Sequence, residues 1–134
     1  MINGVYGFNI AVKDLEAATA RYQAILGVTG IPLSESDFAF PGLVGTRLEF
    51  GGLVINLITS PSSETSVGKF LETKGEGLFL VSLTTSDLDA TTATLKEQGI
   101  NTLLDPPRDT EYGRVTFVHP KNVNGVQLEI LETA

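Results

Sequence analysis

The chain has 134 residues, with sixteen acidic against nine basic side chains and a formal net charge of −7. Lys and Arg are scattered singly, which argues against a footprint on nucleic-acid phosphates. No apolar run approaches the roughly 18 residues of a membrane span, no secretory signal is visible, and the absence of cysteine excludes disulfides and thiolate chemistry.

In chain order, Val5 to Val12 predicts a strand, with Phe8, Ile10 and Val12 on one face and Gly7, Asn9 and Ala11 on the other. Leu15, Ala18, Tyr22, Ile25 and Leu26 follow at helical spacing, and Gly27 is a helix stop. Residues 29–42 are rich in Gly, Pro and Ser, and the alternation of Phe38 and Phe40 suggests a short edge strand. Thr46–Phe50 and Leu53–Thr59 are strands joined at Gly51-Gly52, a hairpin signal. A short helix is expected around Glu64–Glu72, and residues 74–77 form the linker. The second half replays the order. Leu78–Thr84 is a strand, Ser86 an expected N-cap, and Leu88, Thr91, Leu95 and Gln98 mark a helix ending at Gly99. Thr102–Leu104 is a short strand, Asp105–Asp109 a loop, and Arg114–Val118 and Val126–Leu131 the last strands.

The replay is visible as a repeat. Asp14-Leu15-Glu16-Ala17 recurs 73 residues on as Asp87-Leu88-Asp89-Ala90, and the same offset carries Asn56-Leu57-Ile58 onto Glu129-Ile130-Leu131. Equivalent strand positions in the two halves are Gly7, Asn56, Leu80 and Glu129.

This order and several local strings resemble the vicinal oxygen chelate superfamily, which includes glyoxalase I, bleomycin-resistance proteins and methylmalonyl-CoA epimerase. The strings are Ile10–Glu16, Lys69–Glu72 with Gly75-Glu76-Gly77, Phe117–Lys121 and Gly125–Glu129. The resemblance implies an α+β fold in one domain over residues 1–134. Two βαβββ modules, 1–74 and 75–134, would form a curled, barrel-like mixed sheet around a shared cleft. It further implies a homodimer that takes a small-molecule ligand, while the charge pattern, the short apolar runs and the lack of cysteine lead us to expect a cytoplasmic protein with no nucleic-acid or membrane partner. In epimerase-like members a divalent metal is held by His, Gln or Glu, His and Glu. Carried over, these fall on Gly7, Asn56, Leu80 and Glu129, of which only Glu129 matches. Gly and Leu have no donor, and Asn is a weak oxygen ligand. No metal and no cofactor is therefore expected. The lone histidine, His119, precedes a turn and is read as structural. The epimerases use two carboxylates for proton transfer. Glu129 holds one of those positions, and the other falls near Glu35–Asp37.

Strand alternation extends the cleft lining to Asn9, Ser82 and Gln127. On the middle strands it assigns Arg47 and Glu49, and in the second half Arg114, Thr116 and Val118, so that Arg47 and Arg114 face Glu49 and Glu129. A structural Arg–Glu pair satisfies such groups. Arginines also clamp a substrate carboxylate or phosphate, and Glu129 is suited to move a proton. These residues point to a metal-independent isomerase or lyase acting on a small carbonyl acid or thioester, with Glu129 catalytic and Asn9, Arg47, Glu49, Asn56, Ser82, Arg114, Thr116 and Gln127 binding substrate. The alternatives are a non-catalytic binder of the bleomycin-resistance kind, and a hard-cation enzyme using Glu129, Asn56 and Glu49.

Overall fold

The string repeated in the two halves is a helix start. Asp14 accepts the Ala17 amide at 3.0 Å, and Asp87 accepts the Ala90 amide at 3.0 Å, so each aspartate caps the helix that follows it. Asp87, and not Ser86, is the cap of the second helix. An aspartate there also places negative charge at the helix's positive end. Replacing Asp87 by Ala is expected to cost about 1 kcal/mol, read as a lower urea midpoint with an unchanged slope.

A computed structural model describes residues 1–133. In order it contains β1 (Ile2–Ala11), α1 (Leu15–Leu26), β2 (Ile31–Leu33), β3 (Val44–Phe50), β4 (Leu53–Thr59), α2 (Ser66–Thr73), β5 (Gly77–Thr85), α3 (Leu88–Glu97), β6 (Arg108–Thr110), β7 (Gly113–Val118) and β8 (Leu128–Thr133). Each half thus runs strand–helix–strand–strand–strand, an α+β fold of mixed parallel and antiparallel pairing. Among the described residues no helix is long and apolar enough to cross a membrane.

The chain divides into two compact units, Gly7–Phe79 and residues 1–6 with those from Leu80 on. In the first the strand order is β2-β3-β4-β1, and in the second β1-β5-β8-β7-β6, so β1 contributes residues to both. The hairpin between β3 and β4 turns at Gly51 and Gly52, with φ of 60° and 81°. Two successive positive φ values are what a tight two-residue hairpin demands, and glycine adopts them without strain.

In the first unit α1 lies on β3 and β4, burying Val12, Ala18, Leu48 and Leu57. On the other face of these strands Ala11, Leu43 and Ile58 pack against Val67 of α2. Phe70 meets Phe79 edge-on there, with ring centroids 5.2 Å apart. In the second unit Leu88 of α3 packs on Val118 and Ile130. Each buried Val, Leu or Ile among these contributes roughly 1.5–3 kcal/mol by leaving water.

Three sequence expectations fail locally. Phe38 and Phe40 lie outside any strand, and the edge strand is Ile31–Leu33. The chain turns instead, because Asp37 accepts the Ser34 amide at 2.8 Å and Glu35 accepts the Gly42 amide at 2.6 Å. Thr102–Leu104 makes one isolated bridge, Thr102 to Val118. The edge strand forms later, at Arg108–Thr110, past the prolines that cannot donate to a ladder.

Candidate active site

Parallel pairing of β5 with β8 sets Ser82 directly beside Glu129. The Ser82 hydroxyl donates to Glu129 Oε1 at 2.6 Å, the short distance of a charge-assisted O–H···O bond. Ser82 is 3% exposed, so its hydroxyl has no bulk water to turn to. From β7, Phe117 occupies the register position facing Glu129. Burial raises the pKa of Glu129, and the Ser82 hydrogen bond opposes that rise without cancelling it. A carboxyl held partly desolvated, with one oxygen fixed by a donor, is equipped to take up and return a proton.

In the unit Gly7–Phe79 a second polar group forms. Asn9, Asn56 and Arg47 lie side by side across β1, β4 and β3. Asn56 Nδ2 donates to Asn9 Oδ1 at 3.2 Å. Arg47 Nε pairs with Glu49 at 3.2 Å, the arginine side chain 11% and the glutamate 60% exposed. Asn9, Asn56 and Arg47 thus lie on one face of this unit's strands. Asn56 Oδ1 is buried with no hydrogen-bond partner among the described residues.

Arg114 and Thr116 do not join Glu129. The register Phe117 to Glu129 and Thr116 to Ile130 puts Val115 and Phe117 on the Glu129 face. Arg114, Thr116 and Val118 take the face covered by α3. Arg114 bonds Asp89 of that helix at 3.2 Å and lies 3.7 Å from Glu132. Thr116 is completely buried there, because its hydroxyl donates to the Leu104 carbonyl at 2.8 Å and accepts the Leu104 amide at 3.2 Å. A hydroxyl so satisfied carries no burial penalty, so its polarity misled the assignment of the strand's two faces. Gln127 precedes β8, and its carbonyl accepts the Val81 amide at 3.0 Å. His119 caps the turn Pro120–Asn122, its Nδ1 accepting the Lys121 amide at 3.2 Å. Glu35 and Asp37, in the stretch expected to hold a second proton-transfer carboxylate, are both engaged in the turn described above.

The metal that the resemblance implies does not fit the residues present. A Cβ built on Gly7 would fall on the backbone carbonyl of Val54, so no ligating side chain can stand there in this backbone. Leu80 is apolar and buried. Asn56 supplies one amide oxygen and Glu129 one carboxyl group, whose Oε1 already accepts from Ser82, so two of the four positions carry a donor. Among the described residues no three His, Cys, Asp or Glu side chains are grouped to hold an ion. What sequence reasoning missed is that Asn9 and Ser82 are the partners of Asn56 and Glu129. The offset of 73 carries Asn9 onto Ser82, which marks the two as equivalent positions but does not reveal their partners.

Residues 8–117 match the family described as the Glyoxalase/Bleomycin resistance protein/Dioxygenase superfamily, and the chain belongs to it. It is similar to the ethylmalonyl-CoA/methylmalonyl-CoA epimerase of Cereibacter sphaeroides, 31% identical over 97% of this chain and 98% of that protein. The crystal structure of methylmalonyl-CoA epimerase from Mycobacterium tuberculosis superposes with a TM-score of 0.89 at 28% identity, covering 99% of this chain and 89% of that one. A variant of the Streptomyces coelicolor methylmalonyl-CoA epimerase, in complex with 2-nitronate-propionyl-CoA, gives 0.88 at 29% identity over 100% and 99% of the two chains.

Proposed function

We propose that this protein binds a small acyl-CoA thioester and exchanges the proton on its α-carbon, with Glu129 as acid and base and no metal taking part. The observation that carries this is the Ser82–Glu129 pair, which leaves Oε2 as the oxygen free of the Ser82 hydrogen bond. In the step, the α-carbon C–H bond breaks and the proton passes to Glu129. The electron pair moves onto the thioester oxygen as an enolate, and return of the proton completes the exchange. The raised pKa supports the assignment, because a carboxyl in the ordinary acidic range holds a proton poorly near neutral pH. The epimerase relatives and the acyl-CoA analogue held by one of them support the choice of substrate class.

Incubation with methylmalonyl-CoA in deuterated buffer is expected to give loss of the α-proton NMR signal at a rate proportional to enzyme. No exchange above the rate without protein would sink the enzymatic reading. A second reading, a binder without turnover, is favoured by the loss of donors at Gly7 and Leu80. Calorimetric binding of the same thioester without exchange would select it.

A further inference from the structure

The repeat duplicates a hydrogen bond as well as a string of residues. Asn9 and Asn56 are 47 residues apart, and so are Ser82 and Glu129. Adding 73 to the first pair gives the second. Both bonds cross a parallel strand pair at a direct register position, β1 to β4 in one unit and β5 to β8 in the other. In each pair one member occupies the position where the superfamily's metal ligand falls, and the other stands two residues beyond the second, donorless position.

We infer that these two hydrogen bonds take over the orienting role of a divalent metal, with Asn9 and Ser82 as positioning residues for Asn56 and Glu129. This rests on the proposed function for what the oriented groups then do. A metal fixes its ligands by claiming their oxygen lone pairs. Here the claim on Glu129 Oε1 comes from the buried Ser82 hydroxyl, which leaves Oε2 as the carboxyl oxygen not already held. Asn56 offers its amide N–H to Asn9, a group that repels a cation. The unpaired Asn56 Oδ1 is the one atom in its unit at these positions that a cation would serve, and Gly7 gives it no second ligand. Both halves have thus closed on themselves by the same route.

The test begins with wild-type protein purified without chelator. Elemental analysis and calorimetry with magnesium, manganese, cobalt and zinc chlorides are expected to find no stoichiometric metal, and EDTA is expected to leave the melting temperature unmoved. The Asn56 side-chain amide hydrogens should exchange slowly by NMR in the wild type and quickly in Asn9→Ala. Ser82→Ala should lower kcat for α-proton exchange about tenfold with KM unchanged, and Ser82→Thr, which keeps the hydroxyl, should recover it. One equivalent of metal bound by the wild type and lost in Glu129→Gln would overturn the inference. So would an Asn56 amide as fast in the wild type as in Asn9→Ala. If the protein exchanges no thioester proton at all, the catalytic reading fails. The metal titrations and the amide measurement still decide the inference, because neither depends on turnover.

Discussion

Glu129→Gln is expected to lower the rate of α-proton exchange by roughly 10²–10⁴-fold, the usual contribution of a positioned acid–base group, while thioester binding measured by calorimetry stays within a few-fold. Gln is nearly isosteric and still accepts from Ser82, so the neighbourhood keeps its shape and only the titrating group is lost. Residual exchange equal to the wild type would remove Glu129 from the mechanism. The same variant should be the more stable protein near neutral pH. Burial raises the folded-state pKa of Glu129 above its ordinary value. Below the ordinary value the group is protonated in the folded and the unfolded chain alike, and its burial costs little. As the pH climbs through the raised value, the folded chain must either keep a proton the unfolded chain has shed or hold a desolvated charge, and stability falls. Melting curves of the two proteins should therefore coincide in acid and separate toward neutrality, with the variant melting higher. A wild type that melts higher at neutral pH would show that ionised Glu129 is stabilised by the fold.

Gly7→Ala should be the most destabilising single methyl in the first unit. The added Cβ meets the Val54 carbonyl, which is backbone and cannot swing aside. Relief requires β1 and β4 to part where Gly7 and Val54 are in register. A cost of about 3 kcal/mol or more is expected, read from urea unfolding followed by far-ultraviolet dichroism. Gly7→His, which would write back the superfamily's first metal ligand, should fare no better and should gain no metal affinity. A folded Gly7→His protein that binds zinc would show that the strands part easily and that the site was lost through side chains alone.

The order of elements was legible because each carries a local signal. Leu15, Ala18, Tyr22, Ile25 and Leu26 announce a helix by their spacing, Gly27 stops it, and Gly51-Gly52 closes a hairpin. The faces of β3 and β4 were legible too, since Leu48 and Leu57 pack under α1 while Arg47 and Asn56 pair on the opposite side. The faces of β7 were not. Val115, Thr116, Phe117 and Val118 are all buried, and when both faces are covered, alternation of polarity no longer tells them apart. The deciding fact was a hydrogen bond from Thr116 to the backbone at Leu104, twelve residues away, which no pattern of residue types announces. Asn9 and Ser82 were legible as lining but not as partners. That pairing needs the register of two parallel strands, which depends on contacts remote in sequence.

The assignment of residues 1–6 to the unit that otherwise starts at Leu80 gives the polypeptide an order of assembly. Gly7–Phe79 is continuous, so its contacts become available as soon as that stretch has been synthesised. The other unit is tied by bonds such as Thr84 to Asn3, 81 residues apart, and Thr85 to the Met1 carbonyl, 84 apart. Closing loops of that length carries an entropic cost that must be met before any contact rewards it. The continuous unit is the natural one to form first. On this account a nascent chain carries the amide pair of Asn9 and Asn56 before it carries the carboxylate of Glu129.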